Sequence, residues 1–189
     1  MPRIRYDAMA IGLHWLIALG ILALIAIGLT MTHMQLSPMA KFRLYQLHKS
    51  IGITVLFAVA LRALWRLTHQ PPPLPGTMPP LERKTAEGAH VALYAFLFVL
   101  PLTGWALVSA SPFNIPTVLY GVIPWPHLPV LSTLEDKAQA EHVLKLVHGK
   151  GAWLLIALVA VHAGAALRHY FILRDGVMQR MLPVRHRGS

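Results

Sequence analysis

The sequence predicts an all-α membrane protein: a bundle of four transmembrane helices, both termini cytoplasmic, with a short periplasmic surface helix in the loop before the last span. Three observations predict it. Apolar types fill 56% of the 189 positions and charged types only 13%, about half the charge that a water-facing domain carries. Mean hydropathy is +0.54. The apolar residues gather into four stretches, each long enough to cross a hydrocarbon core of about 30 Å.

The first span covers about residues 8–31 and carries no formal charge. It is too long for the apolar core of a signal peptide, and no small-residue cleavage pattern follows, so it is expected to remain as a helix. The second covers about 44–67 and contains Lys49 and Arg62. The third, about 88–110, is uncharged and holds Pro101 and Gly104 near its far end. The fourth covers about 146–170. The connector QPPPLPGTMPP between spans two and three cannot continue a helix. The loop between spans three and four is the longest. Its first part, SPFNIPTVLYGVIPWPHLP, is rich in Pro and aromatics and is expected at the membrane interface. Its second part, STLEDKAQAEHVLKL, has a Ser followed three residues later by a Glu, a helix-start pattern. That part is the predicted surface helix, running on into the fourth span. No internal repeat interrupts the chain, which reads as one membrane-embedded unit over 1–189.

Seventeen Lys and Arg stand against seven Asp and Glu, a formal charge of +10. In a soluble protein that balance would suggest nucleic acid. Here the cations border apolar runs and act as topology signals, so no nucleic-acid partner is expected. With the N-terminus inside, one side collects Arg3, Arg5, Arg62, Arg66, Arg83, Lys84, Arg168, Arg174, Arg180, Arg185 and Arg187. The other collects Lys41, Arg43, Lys49, Lys137, Lys145 and Lys150. Eleven against six places both termini in the cytoplasm.

The chemistry rests on histidine. There are eleven, and no cysteine, which excludes disulfides, thiolate-bound clusters and thioether-attached haem. Ionisable side chains inside spans are costly and mark function, so depth sorts the histidines. His14 and His162 fall near the inner ends of spans one and four, and His48 and His148 near the outer ends of spans two and four. His148 and His162 are fourteen residues apart, about 21 Å along a helix and four turns at 3.5 residues per turn. One helix therefore presents two imidazoles to the bundle interior, each at the depth of a histidine from another span. No carboxylate accompanies them, which argues against zinc or di-iron. Two b-type haems, each between two neutral imidazoles, fit that inventory.

Arg62 follows His48 by fourteen residues, shares its face and reaches the inner depth, where a haem propionate would answer its charge; the alternative is snorkelling to headgroups. Gly28 and Gly52 would leave room for a porphyrin or serve helix packing. For His90, near the inner start of span three, three roles stay open: a donor to a propionate, a part of a quinone pocket, or a ligand in place of one of the four. His33, His69, His127, His142, His169 and His186 fall in loops and tails and are read as mostly solvated.

IGLHW in span one, LHKSIGI opening span two, GAHVALYAFLF in span three, HGKGAWLLIALVAVHAGAALRHYF in span four and the WRLTHQPPPLP connector resemble the bacterial di-haem cytochrome b561 family. The resemblance runs from about residue 11 to 181. It implies a bacterial inner-membrane protein with two haem b groups, ligated by His14 with His162 and by His48 with His148. It also implies electron transfer between the periplasmic side and ubiquinone. One branch of the family is a superoxide:ubiquinone oxidoreductase, and that activity is the expected one. Superoxide would be drawn by outer cations, above all Lys49 beside His48; the alternative for Lys49 is an ordinary interfacial lysine. The alternative is a haem relay subunit for a partner dehydrogenase; a histidine-based metal or proton transporter is the third reading. The partners implied are the lipid bilayer, a quinone, a small anionic reductant and, for the relay, a protein.

Overall fold

In a computed structural model that describes residues 5–76 and 78–183, four long helices run up and down as a bundle. They are α1 (Ala8–His33), α2 (Pro38–Thr68), α3 (Pro80–Ser109) and α5 (Lys137–Arg168). All four are long and apolar enough to cross a membrane. Each extends past its predicted span, because polar flanks such as 38–43 and 80–87 continue the helix beyond the apolar run. Arg3, Arg185, Arg187 and His186 lie outside the described residues.

Local chemistry sets the helix starts. Asp7 caps α1 by accepting from the Ala10 amide at 2.9 Å, and Ser37 caps α2 through Ala40 at 3.3 Å. Burial alone would raise the Asp7 carboxyl, but hydrogen bonds from Ala10 and the Trp65 indole outweigh it and hold the acid below its usual range. Pro38 and Pro80 occupy first-turn positions, where their missing N–H costs nothing.

Helix α1 runs along α2, α3 along α5, and α2 also meets α3. A Cβ on Gly20 would stand 2.6 Å from Val55, and one on Gly151 would stand 2.8 Å from Leu100. Close approach within both pairs thus depends on a missing side chain. The core gathers Ile17, Ile21, Val55, Ala58, Val59, Leu100 and Leu155, with Val59 wholly buried. Nearly all other apolar side chains on the helices stay partly or fully exposed, as suits a bundle whose solvent is hydrocarbon.

The α3–α5 loop holds more regular structure than the sequence predicts. Its first part folds into an antiparallel hairpin, β1 (Thr117–Leu119) and β2 (Ile123–Trp125), followed by a single helical turn, α4 (Pro129–Ser132). The tip takes left-handed backbone at Tyr120 (φ 52°) and Gly121 (φ 73°). Residues 137–145, where a surface helix running on into the last span was expected, are the opening turns of α5 itself. Asp136 supplies the cap, accepting from the Gln139 amide at 3.0 Å, so the helix starts there and runs straight into the apolar stretch.

At the other end, the first and last described segments meet on the same side. Tyr6 N–H bonds the Arg180 carbonyl at 3.4 Å, the Trp15 indole bonds the Met181 carbonyl at 2.9 Å, and Arg5 donates to the Leu182 carbonyl. This end is called the termini end below, and the opposite one the hairpin end.

Candidate functional site

Four of the predicted histidines meet in two pairs. His48 from α2 faces His148 from α5 at the hairpin end, with ring centroids 6.3 Å apart and planes at 74°. His14 from α1 faces His162 from α5 at the termini end, also at 6.3 Å, with planes at 68°. Both pairs join α5 to α1 or α2, helix combinations with little direct backbone packing. The imidazoles therefore reach toward each other across the bundle interior.

The spacing is informative. A ring nitrogen lies about 1.1 Å from its centroid and a metal–imidazole bond is about 2.0–2.1 Å, so two imidazoles on opposite sides of one metal stand about 6.3 Å apart. Among the described residues no three His, Cys, Asp or Glu side chains converge as a metal cluster. Two imidazoles alone leave most of a metal's coordination to another donor, which a porphyrin provides.

The hairpin-end pair has a defined second layer. His148 Nδ1 lies 3.1 Å from the Leu100 carbonyl and 3.1 Å from the Thr103 hydroxyl. A carbonyl only accepts, so Nδ1 carries the proton and Nε2 keeps its lone pair for a ligand. A Cβ on Gly104 would stand 3.0 Å from His148 Cε1, and one on Gly28 would stand 3.7 Å from His48 Cε1. These two glycines let the rings lie against helix backbone. Gly52 meets nothing within 4 Å and borders open space. His48 Nδ1 is buried without a hydrogen-bond partner. The residues present fit a haem.

The termini-end pair sits among more charge. His90 of α3 joins it, its ring 5.5 Å from that of His162. That distance is shorter than the two-sided ligand spacing, whereas His14 has that spacing. Arg62 donates from Nε to Tyr94 Oη at 3.1 Å and from Nη1 to the Ala10 carbonyl. It is thus tied down inside the bundle rather than extended to headgroups, within electrostatic reach of His14, His90 and His162. The Arg66 guanidinium stands 5.9 Å over the Tyr94 ring. Tyr94, Thr103 and Gly104 carry these arrangements, and none stood out in the sequence as a site residue. Their signal was only spacing: Tyr94 lies four residues past His90, one helical turn.

Lys49, next to His48, is half-buried, with Nζ 3.5 Å from the Pro116 carbonyl. The loop and tail histidines need correction. His142 and His33 are exposed, but His169 is buried, with Nδ1 2.6 Å from Asp175 and Nε2 3.5 Å from Glu82. A π-helical turn at His169–Leu173 swings the chain so that Asp175 folds back onto that ring. Burial works upward on Asp175, yet the His169 and Val177 hydrogen bonds leave it below its usual range. His69 stacks on Trp65 at 3.9 Å, and His127 Nε2 is buried.

A four-helix membrane bundle whose interior holds two imidazole pairs and no thiol defines a class, the membrane-embedded haem b electron-transfer proteins. The chain belongs to the prokaryotic cytochrome b561 family, whose sequence model matches residues 5–184. It is 32% identical over 179 residues to cytochrome b561 homolog 2 of Escherichia coli K12, covering 94% of this chain and 91% of the relative. It is 29% identical over 185 residues to a probable superoxide oxidase, CybB, of Yersinia pestis, covering 95% and 96%. Cytochrome b561 homolog 1 of Escherichia coli K12 is 28% identical over 187 residues, covering 96% and 98%. The protein is thus a multi-pass bacterial membrane oxidoreductase of the haem b type.

Proposed function

We propose that the chain holds two haem b groups, one between His48 and His148 and one between His14 and His162, and works as a superoxide:ubiquinone oxidoreductase of the inner membrane. The observation that carries the di-haem reading is the repeated 6.3 Å imidazole separation at two levels of one helix. The superoxide reading draws support from the relative named a probable superoxide oxidase. With both termini cytoplasmic, the hairpin end faces the periplasm.

The reaction balances simply. Two superoxide anions each lose one electron to become dioxygen, and one ubiquinone takes both electrons with two protons to become ubiquinol. Haem b supplies a reversible one-electron carrier when bound; the protein's work is to hold and tune it. His148 offers Nε2 because Leu100 holds its other nitrogen. Arg62 places a cation at the termini end, where it would answer a propionate and favour the state with the added electron. Lys49 puts a cation one residue from His48, where an anion would approach.

The test is rapid mixing of the purified, lipid-embedded protein with a superoxide source. The haem bands are expected to reduce fast and to reoxidise on adding ubiquinone. The rate should fall as the Debye length contracts from about 30 Å at 0.01 M salt to about 10 Å at 0.1 M. Lys49→Gln should lower both the rate and its salt dependence, with haem content unchanged. Inertness to superoxide at every ionic strength would overturn the substrate and leave a relay subunit for a partner dehydrogenase.

A further inference from the structure

The hairpin after α3 lies where no water-facing loop belongs. Residues 111–134 contain no Asp, Glu, Lys or Arg, whereas a solvated stretch of that length would carry about six charges at the usual quarter. Its contacts run deep along α2. The Tyr120 hydroxyl lies 2.7 Å from Thr54 Oγ1, and Trp125 packs on Phe57 and Trp105 with ring centroids 5.9 and 5.4 Å apart. Phe57 is eight residues inward of Lys49, about 12 Å along the helix, within the uncharged stretch 50–61. If that stretch of α2 is in hydrocarbon, the strands beside it are too.

An open two-stranded ribbon in lipid normally fails, because its edge N–H groups find no water. Here those donors are accounted for. Pro124 pairs with Val118, so the outward position of β2 has no N–H to satisfy. On β1, Val118 N–H points at Gln46 Oε1 at 3.5 Å, and at the tip Tyr120 N–H goes to Ser50 Oγ at 2.9 Å. The Pro116 carbonyl accepts from Gln46 Nε2 at 2.9 Å. Ser50, wholly buried, accepts here through Oγ while donating its hydroxyl proton to the Gln46 carbonyl at 2.8 Å. Beyond the hairpin, the Trp105 indole bonds the Pro126 carbonyl at 2.9 Å and Ser109 Oγ accepts the Leu128 N–H at 2.9 Å. The face left outward is apolar: Val122 is 78% exposed, Ile123 55% and Phe113 79%.

We propose that the β1–β2 hairpin is a re-entrant element seated in the leaflet opposite the termini, its outward face at Val122 and Ile123 in contact with lipid acyl chains. The proposal rests on the membrane bundle alone and holds whatever the histidines bind. It gives the polar side chains of α2 at 46, 50 and 54 a role: they supply, inside the bilayer, the hydrogen bonds that water supplies elsewhere.

The absence of cysteine makes the test clean. A nitroxide on Val122→Cys, in lipid nanodiscs, should collide readily with dissolved oxygen and be shielded from a water-soluble nickel chelate. Gln139→Cys, exposed at the start of α5, is the aqueous reference, and the nickel accessibility of Val122→Cys should be at least about tenfold lower. An unchanged haem spectrum reports folding; should Val122→Cys fail it, Ile123→Cys reads the same face. Nickel accessibility equal to that of Gln139→Cys overturns the proposal. So does spin–spin broadening that vanishes on dilution with unlabelled protein, since the face then meets a second copy.

Discussion

The two imidazole pairs share one helix and one spacing, yet their surroundings differ. At the hairpin end, His148 is held by neutral groups, the Leu100 carbonyl and Thr103 hydroxyl, and a glycine lies against each ring. At the termini end, a third imidazole from His90 stands beside the pair, and Arg62 and Arg66 converge on Tyr94. Equal spacing makes both places suitable for the same cofactor. With a haem at each, as proposed, unequal charge would make them unequal redox partners, because nearby cations stabilise the state with an extra electron. The difference would then favour electron transfer from the hairpin end toward the termini end, without any difference in the ligands themselves.

The largest effect should come from the helix that both sites share. Replacing both α5 histidines, His148→Ala with His162→Ala, should leave a folded bundle with neither haem, read as loss of the visible spectrum at preserved helical circular dichroism. A retained haem would show that α5 is not common to both sites.

A smaller change should separate the two ends. Arg62→Gln should lower the potential of the termini-end haem by about 60 mV, the one-electron equivalent of about 1.4 kcal/mol, within the range of a charged hydrogen bond. The sign is downward because losing a cation disfavours the reduced state. A redox titration that finds this potential unmoved would remove Arg62 from the site's electrostatics. Smaller again, Thr103→Val should move only the hairpin-end potential, by about 20 mV for roughly 0.5 kcal/mol. Without the competing hydroxyl, the Leu100 carbonyl draws harder on His148 Nδ1–H, makes the imidazole a stronger donor and lowers the potential. If Thr103→Val shifted both potentials equally, the two ends would not be electrically distinct.

The parts of this arrangement that were legible in the sequence are those governed by local repeat and run length. An uncharged run sets a span, and fourteen residues on a helix return a side chain to the same seam, so His148 and His162 could be placed before any coordinates. What the sequence hid depends on remote partners. The hairpin rests on Gln46, Ser50 and Thr54, about seventy residues earlier, and TVLYGVIPW alone gives only a short alternating signal. His169 looked like a tail residue because its burial comes from a π-helical turn and from Glu82 of another helix. Tyr94 was invisible for the same reason: its role comes from two arginines on α2. The Ser132 and Glu135 spacing suggested a helix start, but Asp136 supplies the cap, so α5 begins at Lys137.

The pairing itself is the central claim, and haem-to-protein stoichiometry in a set of double variants tests it most directly. The native protein should bind two haems, and His48→Ala or His148→Ala should each bind one. Combining those two changes should still leave one, since both belong to the same site. His48→Ala with His14→Ala should leave none, because each strikes a different site. A His48→Ala/His148→Ala protein that folds and binds no haem would contradict the account, for the two histidines would then serve separate sites.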